Sequence, residues 1–242
     1  LRSARERSRI AVVLPTLNEA GTIERLIVEI LSIDARICIY VVDDGSTDGT
    51  VPIVKNLTDK ANRLTLCERG RSKGLGDALK FGLRTALVED KNEVLVTLDA
   101  DCSHDPLDMP KLLDADADLA VGSRYIKGSS IVGWPFPRRF MSMIANWLAR
   151  TRLGIKVKDV TSGYRAYSRK AAELVVSESM RDGFEFQMEA IWLAERAGLR
   201  VLEVPIRFSE RGLGSSKLSP LREVTSTLSF LAHPVRKSAT QT

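Results

Sequence analysis

The chain has 242 residues, 44% of them hydrophobic and 28% charged, a balance that supports a packed core and excludes an extended, solvated polymer. Its 36 Lys and Arg outnumber 31 Asp and Glu, for a net charge of +5, and part of the excess gathers at residues 1–9, where Arg2, Arg5, Arg7 and Arg9 face only Glu6. Three cysteines, Cys38, Cys67 and Cys102, with no CxxC pair, argue against a disulfide framework or zinc site and fit a reducing compartment.

Residues 1–9 are too charged for a signal peptide, and the apolar run at 10–14 is too short for one. No segment reaches the roughly 18 apolar residues that a spanning helix needs. The first residue is Leu1, so a longer native chain is compatible with the sequence. The basic arm reads as a solvated end that can add attraction to anionic lipid or nucleic acid.

Ile10–Leu14 reads as a buried strand stopped by Pro15, followed by a helical pattern through Ile23, Leu26, Ile27, Ile30 and Leu31. Ile37–Val42 is a second strand, ending in Asp43-Asp44-Gly45-Ser46. Ser46 or Asp48 is placed to cap a helix near 49–60. Leu64–Cys67 is a shorter strand, with Cys38 expected in the core. A glycine-bearing loop at 70–76 opens a helix through Ala78, Leu79, Leu83 and Leu87. Val94–Leu98 is a strand that ends in Asp99-Ala100-Asp101, and Leu119–Val121 is another. This β-α-β alternation predicts an α/β fold with a mostly parallel sheet and right-handed crossovers.

Beyond Gly122 the texture changes. Residues 126–137 carry Gly128, Gly133, Pro135 and Pro137 and read as an irregular loop. Arg138–Arg152 is an amphipathic helix with Phe140, Met141, Ile144, Trp147 and Leu148 on one side, facing either a core or a membrane interface. Residues 159–167 form a turn running into a strand, 184–197 a helix, 201–208 a strand, 209–219 a loop, and 221–231 a final helix before Pro234. No linker or repeat interrupts the chain. The simplest organisation is a basic arm at 1–9, one domain over 10–234, and a tail at 235–242.

Two carboxylates at a buried strand end are costly unless paired, hydrated or bound to a cation. Strand ends on one edge of an open α/β sheet are where ligands bind. Asp99 and Asp101 are therefore candidates to hold a hard divalent cation carrying a phosphorylated ligand. Asp43 and Asp44, at a neighbouring strand end, make either an ordinary Asp-Gly turn or an acceptor for nucleobase N–H groups. The loop Arg69–Gly76 matches neither GxxxxGK[ST] nor a dinucleotide GxGxxG. It reads as a tight turn or as a basic loop near a phosphate. His104 and His233 make no metal-spacing pair and read as surface or packing residues. Arg124, Arg138, Arg139, Arg211 and Lys217 sit at strand ends and in loops, where they suit two phosphoryl groups side by side.

Taken in order, Val-Val-Leu-Pro-Thr-Leu-Asn-Glu (12–19), Val-Val-Asp-Asp-Gly-Ser-Thr-Asp-Gly-Thr (41–50), Lys-Gly-Leu-Gly-Asp-Ala (73–78) and Asp-Ala-Asp-Cys-Ser-His-Asp-Pro (99–106) resemble the family 2 glycosyltransferases of GT-A fold. Gly-Ser-Arg-Tyr (122–125), Asp-Val-Thr-Ser-Gly-Tyr-Arg-Ala-Tyr (159–167), Gly-Phe-Glu-Phe-Gln-Met-Glu (183–189), Glu-Val-Pro-Ile-Arg-Phe (203–208) and Arg-Gly-Leu-Gly-Ser-Ser-Lys (211–217) narrow the resemblance to the dolichol-phosphate (polyprenol-phosphate) mannose synthases.

That resemblance implies an inverting, metal-dependent transfer of mannose from GDP-mannose to dolichyl or polyprenyl phosphate, at the cytoplasmic face of a membrane. Pro15, Leu17 and Glu19 are then expected to line the guanosine site, with Val42 and Asp44 at the base and ribose. The family often has Tyr where Leu17 stands. Asp99 and Asp101 are expected to hold Mg²⁺ or Mn²⁺ against the diphosphate, and Ala100 to offer backbone contact. Ser103 stands where some relatives have a metal-contacting Gln. Arg211 and Lys217 are expected over the diphosphate, Arg124, Arg138 and Ser142 at the acceptor phosphate, and Gln187 and Glu189 near the donor sugar. Asp99, Asp101 and Arg124 are the candidate catalytic residues. The membrane surface and an anchoring subunit are the expected partners. A UDP-glucose donor is the nearest rival. A nucleic-acid-binding module is a rival of another class, but RNP, KH and zinc signatures are lacking.

Overall fold

The computed structural model describes residues 8–70, 74–210 and 231. In chain order its elements begin with β1 (Arg9–Thr16), α1 (Ile23–Ile33), β2 (Ile37–Asp43), α2 (Thr50–Thr58), β3 (Leu64–Glu68), α3 (Leu75–Leu87) and β4 (Asn92–Thr97). A 3-10 turn (Pro106–Asp108), α4 (Met109–Leu113), β5 (Leu119–Ser123), β6 (Ser130–Val132) and α5 (Phe136–Leu153) follow. The described elements close with β7 (Arg165–Ser168), α6 (Arg169–Glu178), α7 (Phe186–Arg196), β8 (Val201–Pro205) and β9 (Arg207–Ser209).

The period of two in the apolar strands builds two cores, one on each face of a sheet. Ile10, Val12 and Leu14 of β1, Ile37, Ile39 and Val41 of β2, and Val94 and Val96 of β4 share one face with Ile23, Leu26, Ile27 and Ile30 of α1. The alternate residues, Ala11, Val13, Tyr40, Val42 and Leu95, pack on the other face with α3, α6 and α7. The strand order is β3-β2-β1-β4-β7-β5-β8, a mixed α/β sheet that is parallel except for β7, which runs antiparallel between β4 and β5. β6 and β9 form a separate two-stranded parallel ribbon.

Several expectations change. Pro15 does not stop β1, which continues to Thr16 with Pro15 opposite Val42. The single strand expected at 201–208 is two. At Ile206 the chain changes partners: its N–H donates to Ser123 O of β5, and its carbonyl accepts from Ser130 N of β6. Cys38 is half-buried rather than central. Helix α6 escaped the sequence reading, although Ser168 caps it by accepting from Ala171 N at 3.2 Å. Gly49, not Ser46 or Asp48, precedes α2, and the Asp48 carboxylate accepts from Thr50 N at 3.0 Å.

Helix α5 is not a core helix. Asn146 and Ala149 are its buried residues, whereas Phe136, Phe140, Met141, Met143, Trp147 and Leu148 are exposed. Among the described residues no helix is long and apolar enough to cross a membrane. Most of the expected arm at 1–9, Lys73, the loop and helix at 211–230, His233 and the tail at 235–242 lie outside the described residues. Leu231 is helical and packs on the core shared by α3, α6 and α7.

Candidate active site

β1, β2 and β4 run parallel, so Thr16, Asp43 and Thr97 end on one edge of the sheet. The two loops leaving β1 and β2 are stitched together. Asn18, at φ 56°, donates its N–H to Ser46 Oγ at 2.8 Å and accepts from Thr47 N at 2.7 Å. Glu19 N donates to Thr50 Oγ1 at 2.8 Å. Leu17 and Glu19 are half-exposed on this wall, beside Pro15 and Val42.

The adjacent aspartates divide the work. Asp43 folds the turn, accepting from Gly45 N at 3.0 Å and Ser46 N at 2.9 Å. Asp44 is buried and ion-paired to Arg69 at 2.6 Å, and Arg69 also holds Asp77 at 2.7 Å. Nη2 of Arg69 is buried without a hydrogen-bond partner, leaving a donor beside the Asp44 carboxylate. The glycine loop serves close packing. A Cβ on Gly74 would lie 2.3 Å from Asp182 O, and one on Gly76 would lie 2.6 Å from Phe186 Cβ.

At the end of β4 the chain turns sharply, with Cys102 at φ 59°. Ala100 O accepts from Thr22 Oγ1 at 2.9 Å, which ties the turn to the start of α1. The Asp101 side chain is 6% exposed and accepts from Ser103 N at 2.9 Å. Asp99 is 32% exposed. Gly163 abuts it so closely that a Cβ there would sit 2.9 Å from Asp99 Oδ1. Gly163 is in turn held by Thr97, whose Oγ1 donates to its carbonyl at 2.8 Å. His104 is not a surface residue. It is 2% exposed, with Nε2 3.3 Å from Asp99 Oδ2 and its ring against Tyr164 and Phe208.

The Asp99–Asp101 pair has the donor chemistry of a hard-cation site: carboxylate oxygens, one of them in a partly open position with a cradle that only glycine leaves clear. Among the described residues no group of three or more His, Cys, Asp and Glu is arranged to enclose a metal. The residues therefore fit a cation whose remaining ligands are phosphate oxygens and water, as Mg²⁺ and Mn²⁺ take in phosphate sites.

Arg124, just beyond β5, makes a bidentate pair with Asp159, Nε to Oδ2 and Nη2 to Oδ1, both at 2.7 Å. Asp159 is 0% and Arg124 8% exposed. Burial pushes the Asp159 carboxyl up, but the charge and hydrogen bonds of Arg124 outweigh it and hold the group below its ordinary value. Burial opposes the charge on Arg124 too, and Asp159 more than restores it. The guanidinium lies 5.4 Å from the Tyr125 ring centroid, 5.5 Å from Trp134 and 5.2 Å from Phe208. Arg138 lies 4.5 Å from the same Trp134 ring and pairs with Glu210 at 2.6 Å. Tyr125 donates its hydroxyl to Ser142 Oγ at 2.7 Å. Arg124, Arg138 and Ser142 thus gather around Tyr125 and Trp134. Asp99 is among the charges acting on Arg124.

Glu189 is buried and accepts from the backbone N–H groups of Met180 and Arg181, a brace for that turn. Gln187 is buried with both amide atoms lacking a protein partner. Arg211 and Lys217 lie outside the described residues. The strand that leads to them, β9, is pinned beside the acidic turn, because Ser209 N donates to Ser103 O at 2.8 Å. Asp159, Gly163, His104 and Arg69 stood inside motifs or next to carboxylates in the sequence, but nothing local assigned them these partners.

A mostly parallel seven-stranded sheet flanked by helices, with these strand ends on one edge, is the fold of the GT-A class of glycosyltransferase. Residues 11–175 match Glycosyl transferase family 2, and the chain belongs to that family. Its relatives include polyprenol monophosphomannose synthase of Mycolicibacterium smegmatis, 39% identical over 90% of this chain and 83% of that protein. Undecaprenyl-phosphate mannosyltransferase of Micrococcus luteus is 37% identical over 87% of this chain and 88% of its own length. The resemblance read from the motifs thus holds. Among solved structures, glucosyl-3-phosphoglycerate synthase of Mycobacterium tuberculosis, in complex with Mn²⁺, UDP and glucosyl-3-phosphoglycerate, superposes with a TM-score of 0.66. It is 24% identical, covering 98% of this chain and 84% of that one, and it supports the fold.

Proposed function

We propose that the chain transfers mannose from GDP-mannose to dolichyl or polyprenyl phosphate, with inversion at the anomeric carbon, giving a polyprenyl phosphate mannose. The observation that carries this reading is the juxtaposition on one sheet edge of the Asp99–Asp101 turn and the Asp159-bound Arg124 cluster, linked through His104 and Phe208. Mannosyl transfer to a polyprenyl phosphate is what the names of both relatives describe.

In this reading Asp44, kept in place by Arg69, accepts from the base, with Pro15, Leu17, Glu19 and Val42 around the nucleoside. Asp99, Asp101 and the Ala100 backbone face the diphosphate. Bound there, Mg²⁺ or Mn²⁺ supplies charge neutralisation for the departing GDP. Arg124, Arg138 and Ser142 orient the acceptor phosphate. Its second pKa is about 6, so the attacking oxygen is already anionic near neutral pH and needs no base. That oxygen forms the new bond to the anomeric carbon as the bond to the diphosphate breaks, through an oxocarbenium-like transition state. Arg211 and Lys217 complete the stabilisation of the leaving group.

Nucleotide choice is the direct test. GDP with Mn²⁺ is expected to raise the melting temperature and UDP to leave it unmoved. A ligand at 100 times its Kd adds about 2.7 kcal/mol to stability. A UDP-selective shift, or no lipid-linked mannose from GDP-mannose, sinks the reading.

The exposed side of α5, bounded by Arg138, Arg139, Arg150 and Arg152, is assigned to the membrane surface that holds the acceptor. The three unpaired cysteines suit the cytoplasmic face. Losing one buried aromatic side chain forfeits about 1.5–3 kcal/mol. Trp147→Glu or Phe140→Glu is therefore expected to weaken binding to anionic vesicles by roughly tenfold or more. Unchanged co-sedimentation moves the assignment from lipid to an anchoring subunit.

A further inference from the structure

We infer that His104 is a positioning residue for the Asp99 carboxylate, with its main effect on the metal–donor side of the site. The inference rests on the reading of Asp99 as a metal ligand. Asp99 is the more exposed of the two aspartates, so packing by itself fixes its rotamer least. Two neighbours lie against it. Gly163 closes in on Oδ1 from one side. His104 Nε2 stands 3.3 Å from Oδ2 on the other, where the Nε2–H tautomer turns a donor toward the carboxylate.

The imidazole is itself held on several sides. Its ring centroid lies 5.4 Å from Tyr164 and 5.1 Å from Phe208, and its backbone forms an isolated antiparallel bridge with that of Phe208. Nδ1 is buried without a hydrogen-bond partner, and Nε2 faces the Asp99 carboxylate. Outer partners of this kind orient metal-binding carboxylates, and their loss costs about 10–100-fold in metal affinity or activity.

A rival explanation makes His104 plain packing. Phe208, which touches the His104 ring, also lies 5.2 Å from Arg124. A packing defect would therefore loosen the rings around Arg124, whereas loss of the Asp99 contact leaves Phe208 packed against Arg124. His104→Met and His104→Phe remove the N–H donor with two different shapes, and His104→Gln keeps an N–H on a side chain close to Met in size.

The experiment measures Mn²⁺ affinity, from the free-ion electron paramagnetic resonance signal with saturating nucleoside diphosphate, together with the KM for polyprenyl phosphate. The Met and Phe variants are expected to bind Mn²⁺ roughly 10–100-fold more weakly, with the acceptor KM unchanged and most of the affinity restored in Gln. Wild-type Mn²⁺ affinity in either donor-less variant, a Gln variant no better than Met, or an acceptor KM that rises in parallel overturns the inference. Melting temperatures without metal show which variants fold, and the Gln variant alone decides the matter if the others do not: affinity lost despite its donor overturns it. Failure of the wild-type protein to bind Mn²⁺ instead overturns the metal reading itself.

Discussion

Asp101→Asn is expected to leave the fold intact and to lower lipid-linked mannose formation by about 10²–10³-fold or more, the range seen when one charge-stabilising group is taken from a reacting site. The side chain is nearly buried and accepts from Ser103 N at 2.9 Å. Asparagine keeps that acceptor and almost the same shape, so the turn closes as before. What it loses is a full charge facing the leaving diphosphate. The variant should bind GDP like wild type without metal and lose the gain that Mn²⁺ confers. Equal Mn²⁺-dependent GDP binding in the two proteins would remove Asp101 from the metal site. Asp99→Asn is the informative partner, because Asp99 is more open and could reach ribose or sugar as well as metal.

The acidic strand end was legible because its signal is local. An apolar run from Val94 to Leu98 that breaks into two carboxylates needs no distant residue to be read. The parallel β1-β2-β4 arrangement was legible for a related reason: strand and helix periods alternate in the sequence itself. What escaped depends on contacts between residues far apart in the chain. Asp159 looks like any turn aspartate until β7 enters antiparallel and carries its loop to Arg124. His104 stands in the same short motif as Asp99, yet its burial comes from Tyr164 and Phe208. Helix α5 failed differently. An apolar stripe has the same period whether it faces a core or a lipid surface, so only the fold shows that its aromatic side is exposed.

Asp159→Asn is expected to cost about 3–5 kcal/mol of stability, the penalty for stranding a buried charge when its partner is removed. Arg124 cannot relax into water without leaving Tyr125, Trp134 and Phe208. The pH dependence follows in sign. The folded-state carboxyl of Asp159 is held below 3.8, so its contribution is complete above that value and is lost as pH falls through the lower, folded one. Urea unfolding should therefore show the full gap between wild type and variant at neutral pH and a shrinking gap in acid. A neutral-pH gap near zero would show that the pair adds nothing to the fold. Stability and function can then be separated. Arg124→Met combined with Asp159→Leu replaces the pair with apolar groups, an exchange that is often neutral or stabilising. Most of the lost stability should return, while transfer to polyprenyl phosphate stays abolished because the acceptor phosphate has lost its arginine. A stable double variant that still uses the acceptor would make the pair a structural strut and leave Arg138 and Ser142 to hold the phosphate.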